Sequence, residues 1–482
     1  MLKITRFTCE NKERGCVTDK AQPCFSYALE SDREGTETAH AEITVNKLTQ
    51  DGEKEHCTWK AELKKQIAAV YKGEGLEPFT MYKANITVTD NHGETAEKEL
   101  TFETGRMDEA WTGQWITDGS YSFKDAKISP IPMTFRKKLE LAKPVKSARI
   151  YATALGIYDL FLDGSKVGEQ YFAPGFTSYK THLQYQTYDV TEQIAKAKEL
   201  TAIVAGGWAV GSFVFTRKNR ITADRQALLL ELHLEYEDGT AQVVGSDESW
   251  EVSMDGRVKM ADLYDGETYD ATVLPENMTW RKAALETVKI HPEIMADYGA
   301  PVVVERELTP TFLYEKNGEL IYDFKQNFAG VVKLHLTGKK GQKVEVHHAE
   351  ILNQDGTLNL QFLRTAKATA AYICKDGEQT YSPTMSYMGF RYISIKGVEK
   401  DQVEPTALVL SSGIRQIGGF TCSDERINRL QENIFWSSRS NFMDIPTDCP
   451  QRDERMGWTG DIAVFAQTAC FNFDMSRFLQ KW

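Results

Sequence analysis

The stretch Asp444-Ile445-Pro446-Thr447-Asp448-Cys449-Pro450-Gln451-Arg452-Asp453-Glu454-Arg455-Met456-Gly457-Trp458-Thr459-Gly460-Asp461 decides how the chain is read. It puts five carboxylates, two arginines, a tryptophan and two glycines into eighteen residues between two apolar helical patterns. Packing alone calls for no such mixture. Sugar chemistry does: one acid protonates a leaving oxygen, other polar groups grip hydroxyls, and a ring covers the apolar face of a pyranose. Pro450 suits the first position of a short helical turn with Asp448 near its cap. Trp458 and Asp461 follow Glu454 at four and seven residues, one face of a helix, but Gly457 and Gly460 favour a turn that aims them. Either way Asp448, Glu454, Trp458 and Asp461 are expected to converge on one pocket. The competing description is a solvated polar loop in which Trp458 only packs.

The fourteen residues Asp448 to Asp461 resemble the signature of bacterial α-L-rhamnosidases of glycoside hydrolase family 78, with no departure at the matching positions. The resemblance implies a six-hairpin α/α barrel with the motif near its start. It implies Glu454 as general acid and Asp448, Arg452, Trp458 and Asp461 lining the rhamnose subsite; Asp453 is grouped with these substrate-binding residues. It also implies inversion, with the water-activating base a glutamate far downstream that nothing here matches. The expectation is therefore the N-terminal part of an α-L-rhamnosidase, cut inside its catalytic barrel and inactive alone. A non-catalytic carbohydrate-binding scaffold and a different α/α-barrel glycosidase or lyase are the alternatives. An acid must hold its proton, and a guanidinium favours an ionised neighbour. Arg452 and Arg455 are accordingly expected to turn toward Asp448 and the sugar hydroxyls, away from Glu454.

Outward from the motif, Gly418-Gly419-Phe420 marks a change of period. Ser423 is expected to cap a helix with Ile427, Leu430, Ile434 and Phe435 as its apolar stripe. A second helix follows Asp461, and a third starts near Asp474 or Ser476. Everything before reads as strand. Ala84 to Asp90 and Glu97 to Phe102 alternate around Asn91-His92-Gly93, a hairpin. Tyr158 to Gly168 is strand, Asp163-Gly164 turn, strand. Ala173 to Tyr179, Gln184 to Val190 and Tyr264 to Ala271 resemble the rhamnosidase jelly roll, and Asp323 to Leu336 and Tyr387 to Ile395 its buttressing sandwich. The fold class is multidomain and mainly β: three β-sandwich or jelly-roll domains, then the first helices of a six-hairpin α/α barrel. The domains are 1–105 (immunoglobulin- or fibronectin-like), 106–300 (jelly roll), 301–412 (concanavalin-like sandwich) and 413–482 (start of the barrel).

Bulk properties agree. A chain of 482 residues exceeds what one core fills. A net charge of −12, from 57 basic and 69 acidic residues, speaks against a nucleic-acid partner. The sequence opens without a signal-peptide core and carries no stretch able to span a membrane, so a cytoplasmic protein is expected. Eight cysteines lack a C-x-x-C pair and read as free buried thiols. Adjacent His347 and His348 would face opposite sides of a strand, poor geometry for one metal. No metal and no cofactor are expected. The resemblance implies a rhamnose-containing oligosaccharide or glycoside as the partner; a homodimer is left open.

Overall fold

The computed structural model describes residues 1–48, 55–121 and 129–482. Two compact units emerge, Met1–Trp111 with Ile294–Tyr298, and Thr112–Glu293 with Gly299–Trp482.

The smaller unit is a two-sheet sandwich. Leu2–Cys9, Cys24–Ser31 and Ala69–Val70 form one sheet; Cys16–Thr18, Thr95–Thr104, Met81–Asp90, Thr38–Leu48 and Glu55–Glu62 form the other, in that order. Strand Met81–Asp90 shows why: Tyr82, Ala84, Ile86 and Val88 are buried at period two and meet Phe102, Phe25 and Ile43. At the expected hairpin, the Asp90 carboxylate accepts from the His92 and Glu94 amides at 2.9 and 2.8 Å, and Gly93 takes the left-handed conformation the turn requires.

The larger unit contains most of the remaining β structure. Its jelly-roll part packs a sheet built on Ile157–Leu162, Glu199–Ala205 and Met133–Lys138 against one built on Val145–Leu155, Ala227–Tyr236 and His182–Asp189. Phe135, Leu160, Val204, Leu230 and Trp250 fill the space between. Asp163 and Gly164 both have positive φ, the backbone of the tight turn expected there. The sandwich part is a ten-stranded sheet around the long strand Glu319–Gly338. Val258–Asp262 and Gly266–Asp270, read from sequence as part of the jelly roll, belong to this sheet: Gly266–Asp270 runs parallel to Thr369–Ile373. Gly266, at φ 112°, sits so close to the Thr369 carbonyl that a Cβ has no room. The buried Glu267 carboxylate fixes the arrangement by accepting from the Met385 and Thr384 amides, at 2.8 and 3.0 Å, and from the Tyr381 hydroxyl.

Three helices close the chain, α1 (Glu425–Asn441), α2 (Thr459–Asn472) and α3 (Ser476–Lys481). Asp424, not Ser423, caps α1 by accepting from the Arg426 amide at 2.9 Å. The expected stripe is only partly buried. Phe435 is covered, but Ile427 and Leu430 are exposed, because α1 docks through its C-terminal half, where Arg439 pairs with Glu305 at 2.8 Å. Val464 and Phe471 on α2 are exposed as well. Among the described residues no helix is long and apolar enough to cross a membrane. All eight cysteines are unpaired, with Cys57, Cys422 and Cys470 exposed. His347 and His348 point to opposite faces; His348 is buried, its pKa pushed down to about 3 by that burial.

Candidate active site

The signature loop is bolted to the β domains at both ends. Asp444, itself at positive φ, is buried where its Oδ2 accepts from the Phe176 amide at 2.5 Å and its Oδ1 pairs with the equally buried Lys481 of α3. Gly175 lies against this pair; a Cβ there would come within 2.6 Å of the Lys481 ammonium nitrogen. Farther along, Arg455 is 1% exposed and spends its guanidinium on main-chain carbonyls: Leu263, Tyr387 at 2.6 Å, Arg452 at 3.0 Å and Gln451 at 3.3 Å. The rings of Tyr387 and Tyr264 lie 4.7 and 5.4 Å from its central carbon.

That anchoring explains why Pro450 starts no helical turn: residues 447–458 form no helix. The carbonyls of Gln451 and Arg452 are engaged by Arg455, and Pro450 sits on the Cα of Gly389. Gly457 has a comparable reason to be glycine, since a Cβ would run into the Trp482 ring. Helix α2 then begins at Thr459, which puts Trp458 at its cap and Asp461 in its first turn.

At the centre of the loop are Asp448, Cys449, Arg452 and Glu454. The Arg452 Nε donates to Glu454 Oε2 at 2.8 Å, and Arg452 approaches Asp448 at 3.6 Å. This corrects the expectation that both arginines avoid Glu454: Arg455 does, drawn away by carbonyls, but Arg452 pairs with it. A second guanidinium reaches the same oxygen, Arg364 Nη1 at 3.1 Å, from the sandwich loop after Gln361–Leu363. The Cys449 thiol donates to Asp448 Oδ1 at 3.2 Å and Glu454 Oε2 at 3.7 Å. Among the described residues every hydrogen bond to the Glu454 carboxylate lands on Oε2, and its side chain is 13% exposed. Burial raises the Asp448 pKa from its ordinary value, and the Glu454 charge adds to the rise. Burial and the Asp448 charge push the Cys449 thiol up to about 12, so it is a neutral donor and not a nucleophile. One donor atom from each of Asp448, Cys449 and Glu454 lies within 4.8 Å of the others, the spacing of a cation site. Two guanidiniums and a protonated thiol fit that role poorly, because they already supply the positive charge and the hydrogens.

Asp448 borders two clefts. One, about 530 Å³, is lined by Ser437, Asn441, Thr447, Asp448, Asp461 and Phe465 among others. The second, about 700 Å³, includes Asn327, Glu350, Arg391, Trp436 and Cys449. Asp448, Arg452 and Glu454 thus come together, and Asp461 shares a cleft with Asp448. Asp453 does not join them: it is fully buried, and its Oδ2 accepts from the Thr365 amide at 3.3 Å and from the Thr365 hydroxyl. Trp458 is half-buried, its amide bonded to the Pro446 carbonyl at 3.2 Å and its indole N–H buried without an acceptor among the described residues. Sequence reasoning missed Arg364, which lies 90 positions before Glu454 in a run without a motif. It also missed Tyr264, whose hydroxyl donates to the Glu454 carbonyl at 3.1 Å.

Four family models match successive segments. They are a Rha78A-like N-terminal immunoglobulin domain (4–108), an alpha-L-rhamnosidase N-terminal domain (143–313), a bacterial alpha-L-rhamnosidase concanavalin-like domain (314–412) and a bacterial alpha-L-rhamnosidase 6 hairpin glycosidase domain (415–482). An α-L-rhamnosidase of Streptomyces avermitilis is 39% identical over 353 residues, 70% of this chain and 34% of that protein. The solved α-L-rhamnosidase of Dictyoglumus thermophilum superposes with a TM-score of 0.89 at 30% identity, covering 99% of this chain and 56% of that one. A Streptomyces avermitilis α-L-rhamnosidase complexed with L-rhamnose gives 0.88 at 25% identity, covering 100% and 64%. The chain spans between about a third and about half the length of the curated relatives it matches.

Proposed function

From the premise that the chain belongs to the bacterial α-L-rhamnosidase family as a partial-length homologue, we propose that it carries the acid half of an inverting α-L-rhamnoside hydrolase, with Glu454 as general acid. The observation that carries this reading is the division of labour on one carboxyl group. Two guanidiniums hold Oε2, which favours the carboxylate left once the proton has gone, while Oε1 accepts no hydrogen bond among the described residues and is the oxygen placed to give that proton. Oε1–H donates to the glycosidic oxygen as the bond to the anomeric carbon breaks, and the leaving alcohol departs neutral. Water adds to the opposite face of the oxocarbenium-like centre and surrenders its proton to a base.

Asp448 is not that base. An oxygen of Asp448 lies within 4.8 Å of one on Glu454, whereas an inverting pair needs ~6.5–9.5 Å to admit a water. Asp448 and Arg452 instead suit sugar hydroxyls, as charged partners that strengthen each hydrogen bond. Asp461, in a cleft shared with Asp448, fits the same task.

The test uses 4-nitrophenyl α-L-rhamnoside and the protein continued to the length of its relatives, with proton NMR of the first-formed sugar. The β-anomer is expected first. An α-anomer would mean retention, and the spacing argument against Asp448 would fail.

A further inference from the structure

Arg364 has no counterpart in the signature, yet it touches the same Glu454 oxygen as Arg452. Its loop is built to hold it there. On one side, Gln361–Leu363 makes a single helical turn seated by the buried Leu363. On the other, the Thr365 amide and hydroxyl bind Asp453, the Lys367 amide binds Asp265 at 3.3 Å, and the buried Ala368 donates its amide to the Tyr264 carbonyl at 3.1 Å. Asp265 is itself gripped by Arg217 at 2.7 Å. Between these fixed points Arg364 has φ 56° and ψ −111°, a backbone state that a residue with a Cβ keeps only where its surroundings over-determine it. The side chain is 44% exposed on its outer face, so fold stability does not demand the guanidinium where it is.

This gives Asp453 a purpose other than sugar binding. It is the motif's own clamp on the sandwich loop, placed next in sequence to the residue the loop serves. We propose that Arg364 is a positioning residue for the general acid, supplied by the β-sandwich and locked by the Asp453–Thr365 bond, which fixes Oε2 so that Oε1 faces the leaving oxygen. The proposal rests on the reading of Glu454 as the acid. It also gives the sandwich domain a part in the chemistry, since without its loop Glu454 keeps only Arg452 and the long Cys449 contact and turns more freely about its terminal bond.

Leaving groups separate this role from a merely structural one. Proton donation matters greatly for a sugar or alkyl leaving group and much less for 2,4-dinitrophenolate, which departs without it. In the protein continued to the length of its relatives, Arg364→Met is expected to lower kcat on an α-L-rhamnosyl disaccharide by ~10-fold or more, with KM changed far less and a several-fold smaller loss on 2,4-dinitrophenyl α-L-rhamnoside. Arg364→Lys should recover part of the loss, because one donor can still reach Oε2. Thr365→Val, which touches Glu454 nowhere, should show a weaker skew of the same sign. Equal losses on both substrates, or none, overturn the proposal. Glu454→Gln run beside them keeps the two ideas apart. If it lacks the leaving-group skew, the acid assignment itself is wrong; if it has the skew and Arg364→Met does not, only the positioning role falls.

Discussion

Replacing Lys481 with methionine tests how the signature loop is held. Lys481 and Asp444 are 4% and 7% exposed, and their charged atoms are in contact. At an effective dielectric of ~20 and a separation near 2.5 Å the attraction is about 6–7 kcal/mol, much of it offset by the several kcal/mol that desolvating each ion costs. The net worth of the pair is therefore small, but its rupture is not. Methionine would leave the Asp444 carboxylate buried with only the Phe176 amide and no counter-charge, at a cost of about 3–5 kcal/mol. Asp444→Asn in the same protein removes the orphaned charge while keeping an acceptor for Phe176, and the double variant should return to within about 2 kcal/mol of wild type. Urea unfolding followed by tryptophan fluorescence, with the larger unit's transition fitted alone, measures all four corners of the cycle. A Lys481→Met loss below about 1 kcal/mol, or a double variant as unstable as the single, would refute the reasoning.

Other consequences are equally direct. Burial raises the Glu267 pKa to about 7 from an ordinary 4.5. The folded state thus binds this proton more tightly than the unfolded one, and its contribution is intact below pH ~4.5 and lost as pH rises through 7, by roughly 3 kcal/mol at most. Unfolding at pH 5 and at pH 8 should show that decline, and Glu267→Gln should flatten it. Arg455→Met strips the donors from four carbonyls and a cation from between two tyrosines; a loss of more than ~3 kcal/mol is expected in the same urea assay. Gly389→Ala places a Cβ 2.7 Å from the Pro450 ring and 2.8 Å from the Gln451 nitrogen. The loop backbone must shift to make room, and rhamnoside kcat should fall by ~10-fold or more while the melting temperature changes only by a few degrees.

Strand alternation and turn chemistry were legible in the sequence because they are local: Tyr82 to Val88 announce a buried face, and Asp163-Gly164 can hardly be anything but a tight turn. The rhamnosidase resemblance was legible because fourteen unusual residues stand together. What failed were expectations that depended on distant partners. Asp453 looks like any other acid of the loop until Thr365 is seen beside it, and Arg455 looks like a sugar ligand until four carbonyls are found around it. Pro450 carries a helix-start signal that Gly389 and Arg455 override through packing. Ile427 and Leu430 have helical spacing but face outward, since periodicity says which residues share a face and not what covers it. Arg364 left no trace at all, as a lone arginine in a loop has no period and no motif.

The central claim is that Glu454 delivers the proton to a departing sugar. The most direct measurement is the rate at which the protein, continued to the length of its relatives, cleaves an α-L-rhamnosyl-glucose disaccharide as wild type and as Glu454→Gln. A loss of ~10²–10⁴-fold in kcat with KM little changed is the predicted result. A glutamine variant that keeps its rate within a few-fold would contradict the account and move the acid to another residue.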